Sequence, residues 1–426
     1  MTLSSKLSRR GFLKSSAAAS TLAAAATAQD QLAPLPSAFS SLKPLGERVQ
    51  AITPEEFQSR LLHAQQLMSS LDPKFDALLI GPGASLYYFT GIRWGLSERL
   101  LAVIVPRTGD PLLISPAFEE GRMRELMRYP MEVRVWQEDE NPAKLIAASL
   151  ADRNLRSGRV GIEETLPFTF YDHFRAATAT YECVSADAVT IGCRARKSAH
   201  ELELLRVACE ATCDVYRLVF GNLQEGMSEE EISRMVTGGY ARMNLRGYAL
   251  PLIGPSAALP HGSRLPRKLK EGDVVLIDGG CLVEGYESDV TRTGILGKPT
   301  EKMVRAYEAV RGAQNAALSA AQAGKLSGSV DDAARKVITS AGFGPDYKFF
   351  THRLGHGIGL DGHEHPYLVR GSKTVLEPGM TFSNEPGVYI PNEFGIRCEE
   401  VMAIAPSGPA QLLTPGFQAS LEKPFA

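Results

Sequence analysis

The chain has 426 residues, 44% of them hydrophobic and 22% charged, with 46 basic against 48 acidic residues. That length calls for two domains rather than one core, and the composition excludes a disordered, fibrous or disulfide-scaffold protein. A net charge of −2 speaks against nucleic acid as a partner.

In chain order, Ser8-Arg9-Arg10-Gly11-Phe12-Leu13-Lys14 carries paired arginines, Ser15 to Ala26 is a mildly apolar alanine-rich run, and Ala26-Thr27-Ala28 offers a small-residue cleavage pattern. Together these resemble a twin-arginine (Tat) signal peptide over residues 1–28. The resemblance implies export by the Tat translocase and a periplasmic or secreted mature protein. The apolar run is too short and too weakly apolar for a permanent membrane anchor. Cleavage would remove Lys6, Arg9, Arg10 and Lys14 and no acid, making the mature chain more acidic still. Residues 29–52, rich in Pro, Ser, Ala and Leu without a sustained period, read as a linker or loosely packed arm.

Thr53-Pro54-Glu55-Glu56 is a helix start, with a threonine cap, proline in the first turn and acids at the positive end of the helix dipole. Beyond it the spacing predicts strands over 76–81, 101–106, 111–116, 131–136 and 159–164, with helices over 118–127, 142–154 and 168–177. This alternation predicts a small α/β domain over 53–192. Ser198-Ala199-His200-Glu201 and Ser228-Glu229-Glu230-Glu231 are capping boxes that open two long helices. Two further helices, over 301–323 and 330–341, and intervening β-hairpins predict an α+β domain over 193–426. The six cysteines contain no CxxC pair, and Cys209 and Cys213, one helical turn apart, read as small buried residues rather than a bridge.

Of the eight histidines, His261, His352, His356, His363 and His365 fall in the second domain. Their prospective partners are acids. The apolar run Val274-Val275-Leu276-Ile277 delivers Asp278, and Tyr286-Glu287-Ser288-Asp289-Val290-Thr291 brings Asp289 on a second strand. Downstream, Thr381-Phe382-Ser383-Asn384-Glu385 places a glutamate at a strand end, and Gly395-Ile396-Arg397-Cys398-Glu399 returns another. Between these pairs lies His352-Arg353-Leu354-Gly355-His356-Gly357-Ile358-Gly359, whose glycines allow close backbone approach. Four carboxylates with one histidine would carry a charge of about −4 when ionised, which only bound cations can hold together.

The order Asp278, Asp289, His356, Glu385, Glu399, with the strings Asp-Gly-Gly, Tyr-x-Ser-Asp-x-Thr-Arg-Thr, Gly-His-Gly-x-Gly, Glu-Pro-Gly-x-Tyr and Gly-x-Arg-x-Glu, resembles the M24 metallopeptidase family. The resemblance implies a pita-bread catalytic domain. The segment ahead of it, with Leu86-Tyr87-Tyr88-Phe89-Thr90-Gly91, resembles the creatinase/prolidase N-terminal domain and points to the prolidase and aminopeptidase P branch. The resemblance thereby implies a binuclear-metal hydrolase of Xaa-Pro bonds, acting through a metal-bridging hydroxide on a proline-containing peptide.

In that resemblance Asp289 and Glu399 bridge two divalent metals, Asp278 chelates one, and His356 with Glu385 completes the other. Manganese is expected first, then cobalt, zinc or iron. Glu385 also shuttles the proton. His363 stabilises the oxyanion, His261 and His352 stand near the leaving group, and Arg397 orients an acid or contacts substrate. Arg370 is a further candidate for a substrate carboxylate, and His365 reads as a supporting loop residue. A homodimer is also implied. Glu400 stands where relatives carry aspartate, and is expected at most to tune the site. The other readings are a creatinase-like amidinohydrolase that works without metal and a non-catalytic pita-bread binding module. Both lose the ligand set, whereas here it is intact.

Overall fold

The computed structural model describes residues 34–425, so the twin-arginine segment lies outside the described residues. The stretch up to Phe39 is a unit of its own, its described part being the start of a 3-10 turn at Ser37–Ser41. All the remaining elements belong to the unit that begins at Ser40. In the arm ahead of the first helix, Leu42, Leu45 and Ile52 are buried, so this part of residues 29–52 is packed.

Helix α1 (Pro54–Ser70) opens on a complete capping box between Thr53 and Glu56. A mixed six-stranded sheet comes next, built from β1 (Ala77–Ile80), β2 (Ala102–Pro106), β3 (Leu112–Pro116), β4 (Glu132–Trp136), β5 (Gly158–Ile162) and β6 (Tyr181–Ser185), in the order β4-β3-β2-β1-β5-β6. Its apolar side packs Leu79, Ile104, Leu112, Ile114 and Val160 against Ile146 and Leu150 of helix α4 (Pro142–Asp152) and Phe174 of helix α5 (Phe168–Ala177). Between β3 and β4 runs the short helix α3 (Glu120–Leu126).

Three elements were not legible in advance. Helix α2 (Ala84–Thr90) is buried at every residue after the first and so shows no amphipathic period; Gly91 ends it in the left-handed region at φ 75°. Strand β6 is a half-exposed sheet edge without a buried face. Helix α6 (Asp187–Arg194) is too short for its period to stand out.

The second domain starts with α7 (Ala199–Phe220) and α8 (Glu229–Arg242), each opened by the capping box read from the sequence. Strands β7 (Arg246–Ile253), β8 (Val274–Val283) and β10 (Val290–Ile295) form the sheet β10-β8-β7, with β9 (Tyr286–Glu287) paired to the end of β8. Two helices come after them, α9 (Glu301–Ala320) and α10 (Ser327–Ile338); the second ends in a wider turn, Thr339–Phe343, where Gly342 leaves helical geometry.

A second sheet has the order β12-β11-β13-β16-β17, from β11 (Gly355–Gly357), β12 (Glu364–Leu368), β13 (Thr381–Asn384), β16 (Glu400–Ala403) and β17 (Gln411–Leu412); β14 (Gly387–Ile390) and β15 (Phe394–Arg397) form a hairpin between β13 and β16. Helix α7 packs on β8 and β10, and α9 on β13, β14 and β15. The core joins Leu276, Val310, Ala313, Leu354, Phe382 and Ile396. With helices outside both sheets, the inner strand ends are left to line a cleft. Among the described residues no helix is long and apolar enough to cross a membrane.

Candidate metal centre and active site

The antiparallel register of β8 and β10 sets Asp278 opposite Thr291. The Thr291 hydroxyl lies 2.9 Å from Asp278 Oδ1 and 2.6 Å from Glu399 Oε2, tying two acids from distant segments together. Asp289 stands immediately ahead of β10 rather than within it, and is buried. Glu385 comes directly after β13, and Glu399 occupies one of the two residues between β15 and β16. All four acids therefore sit at strand ends or strand junctions or opposite them, where the paired strands converge.

His356 is the middle residue of β11 and is buried. Its ring Nδ1–H donates to the Gly357 carbonyl at 3.0 Å, which fixes the orientation of the ring. Its Nε2 faces Glu385 Oε1 at 3.2 Å and Asp289 Oδ2 at 3.7 Å, and although burial opposes it these acids favour the protonated ring, which donates to Glu385. Gly355 is required here, because a Cβ would collide with the Ser383 carbonyl of β13.

Three overlapping sets of ligand atoms, each within 4.8 Å, run through the cluster: Asp278 with Asp289 and Glu399, His356 with Glu385 and Glu399, and Asp289 with His356 and His363. Their electrostatics fit cations. Burial, then the charge of Asp278, pushes Asp289 well above the usual carboxylate range; burial, then Asp289, does the same to Glu399. Glu399 Oε1 is buried without a hydrogen-bond partner, an orphaned carboxylate oxygen in an acidic cluster. Glu385 differs. Burial opposes its ionisation, but the His356 hydrogen bond and the nearby His352 and Arg397 hold it below its ordinary value.

Arg397 projects beside Asp278, with Nη2 at 2.7 Å from Oδ2, and its Nη1 donates to Tyr389 Oη at 2.8 Å. Tyr389 passes its hydroxyl hydrogen to His352 Nε2 at 2.7 Å, and His352 Nδ1 donates to the Arg353 carbonyl at 2.8 Å. This relay orients His352, which burial keeps neutral. The His363 ring stacks on His356 with centroids 3.7 Å apart, and burial followed by the His356 charge lowers it to about 4. At neutral pH it is an uncharged imidazole.

These residues meet in a cleft of about 500 Å³ lined by Asp278, Asp289, His356, Glu385, Glu399 and Arg397, with His261, His352 and His363 among its walls. The five expected ligands and the four other expected catalytic residues thus share one cleft. Arg370 does not line it and instead pairs with Asp346 at 2.9 Å. His365 lines a smaller neighbouring pocket. Sequence reasoning did not single out Thr291, Tyr389 or Arg353. All three lie inside the quoted strings, but their contacts exist only once the strands pair.

A clasp from the first domain holds the His363 loop. Arg194 of α6 donates to Asp361 at 2.6 Å and Glu364 at 2.5 Å, and buried Lys197 meets the other oxygen of Glu364 at 2.5 Å. Asp361 and Glu364 bracket His363, so the interdomain contact bears on the cleft wall.

Known families and proteins match most of the chain. Residues 203–406 match Metallopeptidase family M24, and residues 60–196 match the Creatinase/Prolidase N-terminal domain. Probable dipeptidase PepE of Mycobacterium tuberculosis is 32% identical over 345 residues, spanning 80% of this chain and 90% of that protein. The Xaa-Pro dipeptidase of Pyrococcus horikoshii is 32% identical over 344 residues, spanning 79% and 92%. The crystal structure of dipeptidase PepE from Mycobacterium ulcerans superposes with a TM-score of 0.79 at 30% identity, covering 86% of this chain and 98% of that one. A pita-bread domain with an acid and histidine cluster at its centre, preceded by a creatinase-type domain, makes this chain a member of metallopeptidase family M24.

Proposed function

We propose that the chain is a two-metal Xaa-Pro peptidase, a dipeptidase or aminopeptidase that cuts the bond before proline. The observation that carries the reading is the run of overlapping ligand sets from Asp278 through Glu399 to His356, at the floor of a cleft walled by histidines. Asp289 and Glu399, each common to two of the sets, would be shared between the cations, and Asp278, His356 and Glu385 would complete their hold. Divalent cations held there would polarise the scissile carbonyl and acidify water.

The remaining chemistry belongs to side chains. Glu385, held ionised, accepts a proton from the attacking water and returns it to the leaving nitrogen. Neutral His363 donates its N–H to the carbonyl oxygen as negative charge develops. The proline nitrogen leaves as an amine only once that proton is delivered to it. An oxygen-rich donor set favours manganese, with cobalt, zinc and iron as the other candidates. The metal-free amidinohydrolase and binding-module readings are disfavoured by the acid cluster, which repels itself without cations.

The test is hydrolysis of an Xaa-Pro dipeptide beside an Xaa-Pro-Xaa peptide by protein reconstituted with manganese after chelation. Preference for the dipeptide makes it a prolidase, preference for the longer peptide an aminopeptidase, and cleavage of neither rejects the proposal. In the same assay His363→Ala is expected to keep its metal, by elemental analysis, while kcat falls roughly 10²-fold. Loss of metal instead would make His363 a ligand. Export through the Tat route belongs to the proposal as the reading of residues 1–28; cell fractionation with Arg9 and Arg10 both replaced by lysine tests it, and unchanged export would discard it.

A further inference from the structure

The connection between Asp278 and Asp289 leaves the cleft, turns against the first domain and comes back. Strand β8 runs out from Asp278, Glu284 and Gly285 make a two-residue turn with both φ positive, at 47° and 92°, and β9 returns with Tyr286 opposite Val283. The first domain holds that tip. Tyr87 of α2 donates its hydroxyl hydrogen to the Glu284 carbonyl at 2.8 Å, and the same ring leaves no room for a Cβ on Gly285. Arg60 of α1 reaches across with Nη2 to Tyr286 Oη at 2.8 Å, while its Nη1 donates to the Tyr88 carbonyl at 3.2 Å. The Tyr286 hydroxyl in turn donates to Glu201 Oε1 of α7, whose Oε2 accepts from the Ser198 N–H at 2.7 Å. Arg60, Glu201 and Tyr286 are all buried, so water does not compete for these charge-assisted bonds.

Of the four acids in the cluster, Asp289 depends most on such support. Thr291 and Arg397 hold Asp278, Thr291 holds Glu399, and Ser383 donates to Glu385. The Asp289 carboxylate accepts no hydrogen bond among the described residues, and His356 Nε2 stands off at 3.7 Å. Its direction is therefore set by its backbone, which lies three residues beyond Tyr286 and outside any strand. In between, the Glu287 N–H donates to the Gly359 carbonyl at 2.8 Å and the Ser288 N–H to the Cys281 carbonyl at 3.0 Å. That stretch is tied on both sides, so a tilt of β9 at Tyr286 is passed on to Asp289.

We infer that Tyr286, gripped by Arg60 and Glu201, is a positioning residue for Asp289, through which the first domain sets the affinity of the second for its divalent cations. This rests on the two-metal reading and adds to it a positioning contact at the domain interface. The contact acts on affinity rather than on the chemical step, since none of the three side chains lines the cleft.

Calorimetric titration of the chelated protein with manganese tests this. Tyr286→Phe, which removes only the hydroxyl, is expected to weaken manganese binding roughly 10- to 100-fold, with kcat at saturating manganese and KM for an Xaa-Pro peptide changed by no more than a few-fold. Tyr87→Phe frees the same tip at the Glu284 carbonyl, is expected to act in the same direction, and takes the place of Tyr286→Phe should that variant not fold. Ile146→Ala, which opens a cavity in the core of the first domain, is the control for lost stability and is expected to bind manganese as wild type does. Unchanged manganese affinity in the tyrosine variant, or an equal loss in Ile146→Ala, would overturn the assignment and leave the two-metal reading standing. A wild type that takes up no manganese would instead reject the two-metal reading. Amide hydrogen exchange across residues 286–291 then decides the grip alone, and exchange no faster in Tyr286→Phe than in wild type would overturn it too.

Discussion

Asp289→Asn and Glu399→Gln are each expected to lower kcat/KM on the order of 10³-fold or more and to lower bound metal in parallel, read by elemental analysis beside the kinetics. Both acids belong to adjoining ligand sets, so either change removes a donor from more than one of them. The same substitutions are expected to stabilise the metal-free protein by roughly 1–3 kcal/mol at neutral pH, measured by chemical denaturation in chelator. The reason is repulsion. Burial first and neighbouring acids second raise both residues above the ordinary carboxylate range.

These raised values also set the sign of the pH effect. An acid whose folded pKa lies above its unfolded value binds its proton more tightly in the folded state. Its contribution to stability is then greatest below the unfolded value, about pH 4, and declines as pH rises towards the folded value. Metal-free wild type should show that decline, and Asp289→Asn should flatten it. Full activity in either variant would remove the bridging assignment. A metal-free variant no more stable than wild type would show that the acids do not repel one another.

Arg292→Met is expected to cost about 3–5 kcal/mol of stability, because it strands a buried charge. Arg292 and Glu400 are both buried, with Nη2 and Oε2 3.0 Å apart. Arg292 Nη1 donates to the Glu399 carbonyl at 2.9 Å and the Thr291 carbonyl at 3.1 Å. Arg292 therefore ties together the backbones that deliver Glu399 and Thr291. Replacing Glu400 by methionine as well should recover much of the loss, since no unpaired charge then remains. Urea unfolding of the single and double variants measures this, and a double variant as unstable as Arg292→Met alone would show that the backbone ties, not the ion pair, dominate. Glu400, expected from sequence at most to tune the site, is half of a buried ion pair beside it.

The extent to which the chain was legible differs from one residue to the next for physical reasons. The helix starts at Thr53, Ser198 and Ser228 were readable because a capping box is a contact between residues three apart. Helix α2 was not, since burial on every side erases the period that marks a helix. Asp278 stood out as an acid at the end of an apolar run. Arg370 was a reasonable candidate for a substrate carboxylate from its neighbourhood in sequence, but its pairing with Asp346 takes it out of the cleft.

The sequence by itself determined the local facts of this protein: where helices begin, which acids and histidines to expect at a common site, and, through their order and surrounding strings, the family. These are written in spacings of a few residues and in residue types that are expensive to bury. Only the tertiary structure decided which polar groups face one another. The Thr291 hydroxyl between Asp278 and Glu399, the relay from Arg397 through Tyr389 to His352, and the Arg292 and Glu400 pair all depend on strand register and on how the strands pack together. A side chain's partner is set by which strands pair and in what register, and a one-residue slip would turn a strand's side chains to the opposite face.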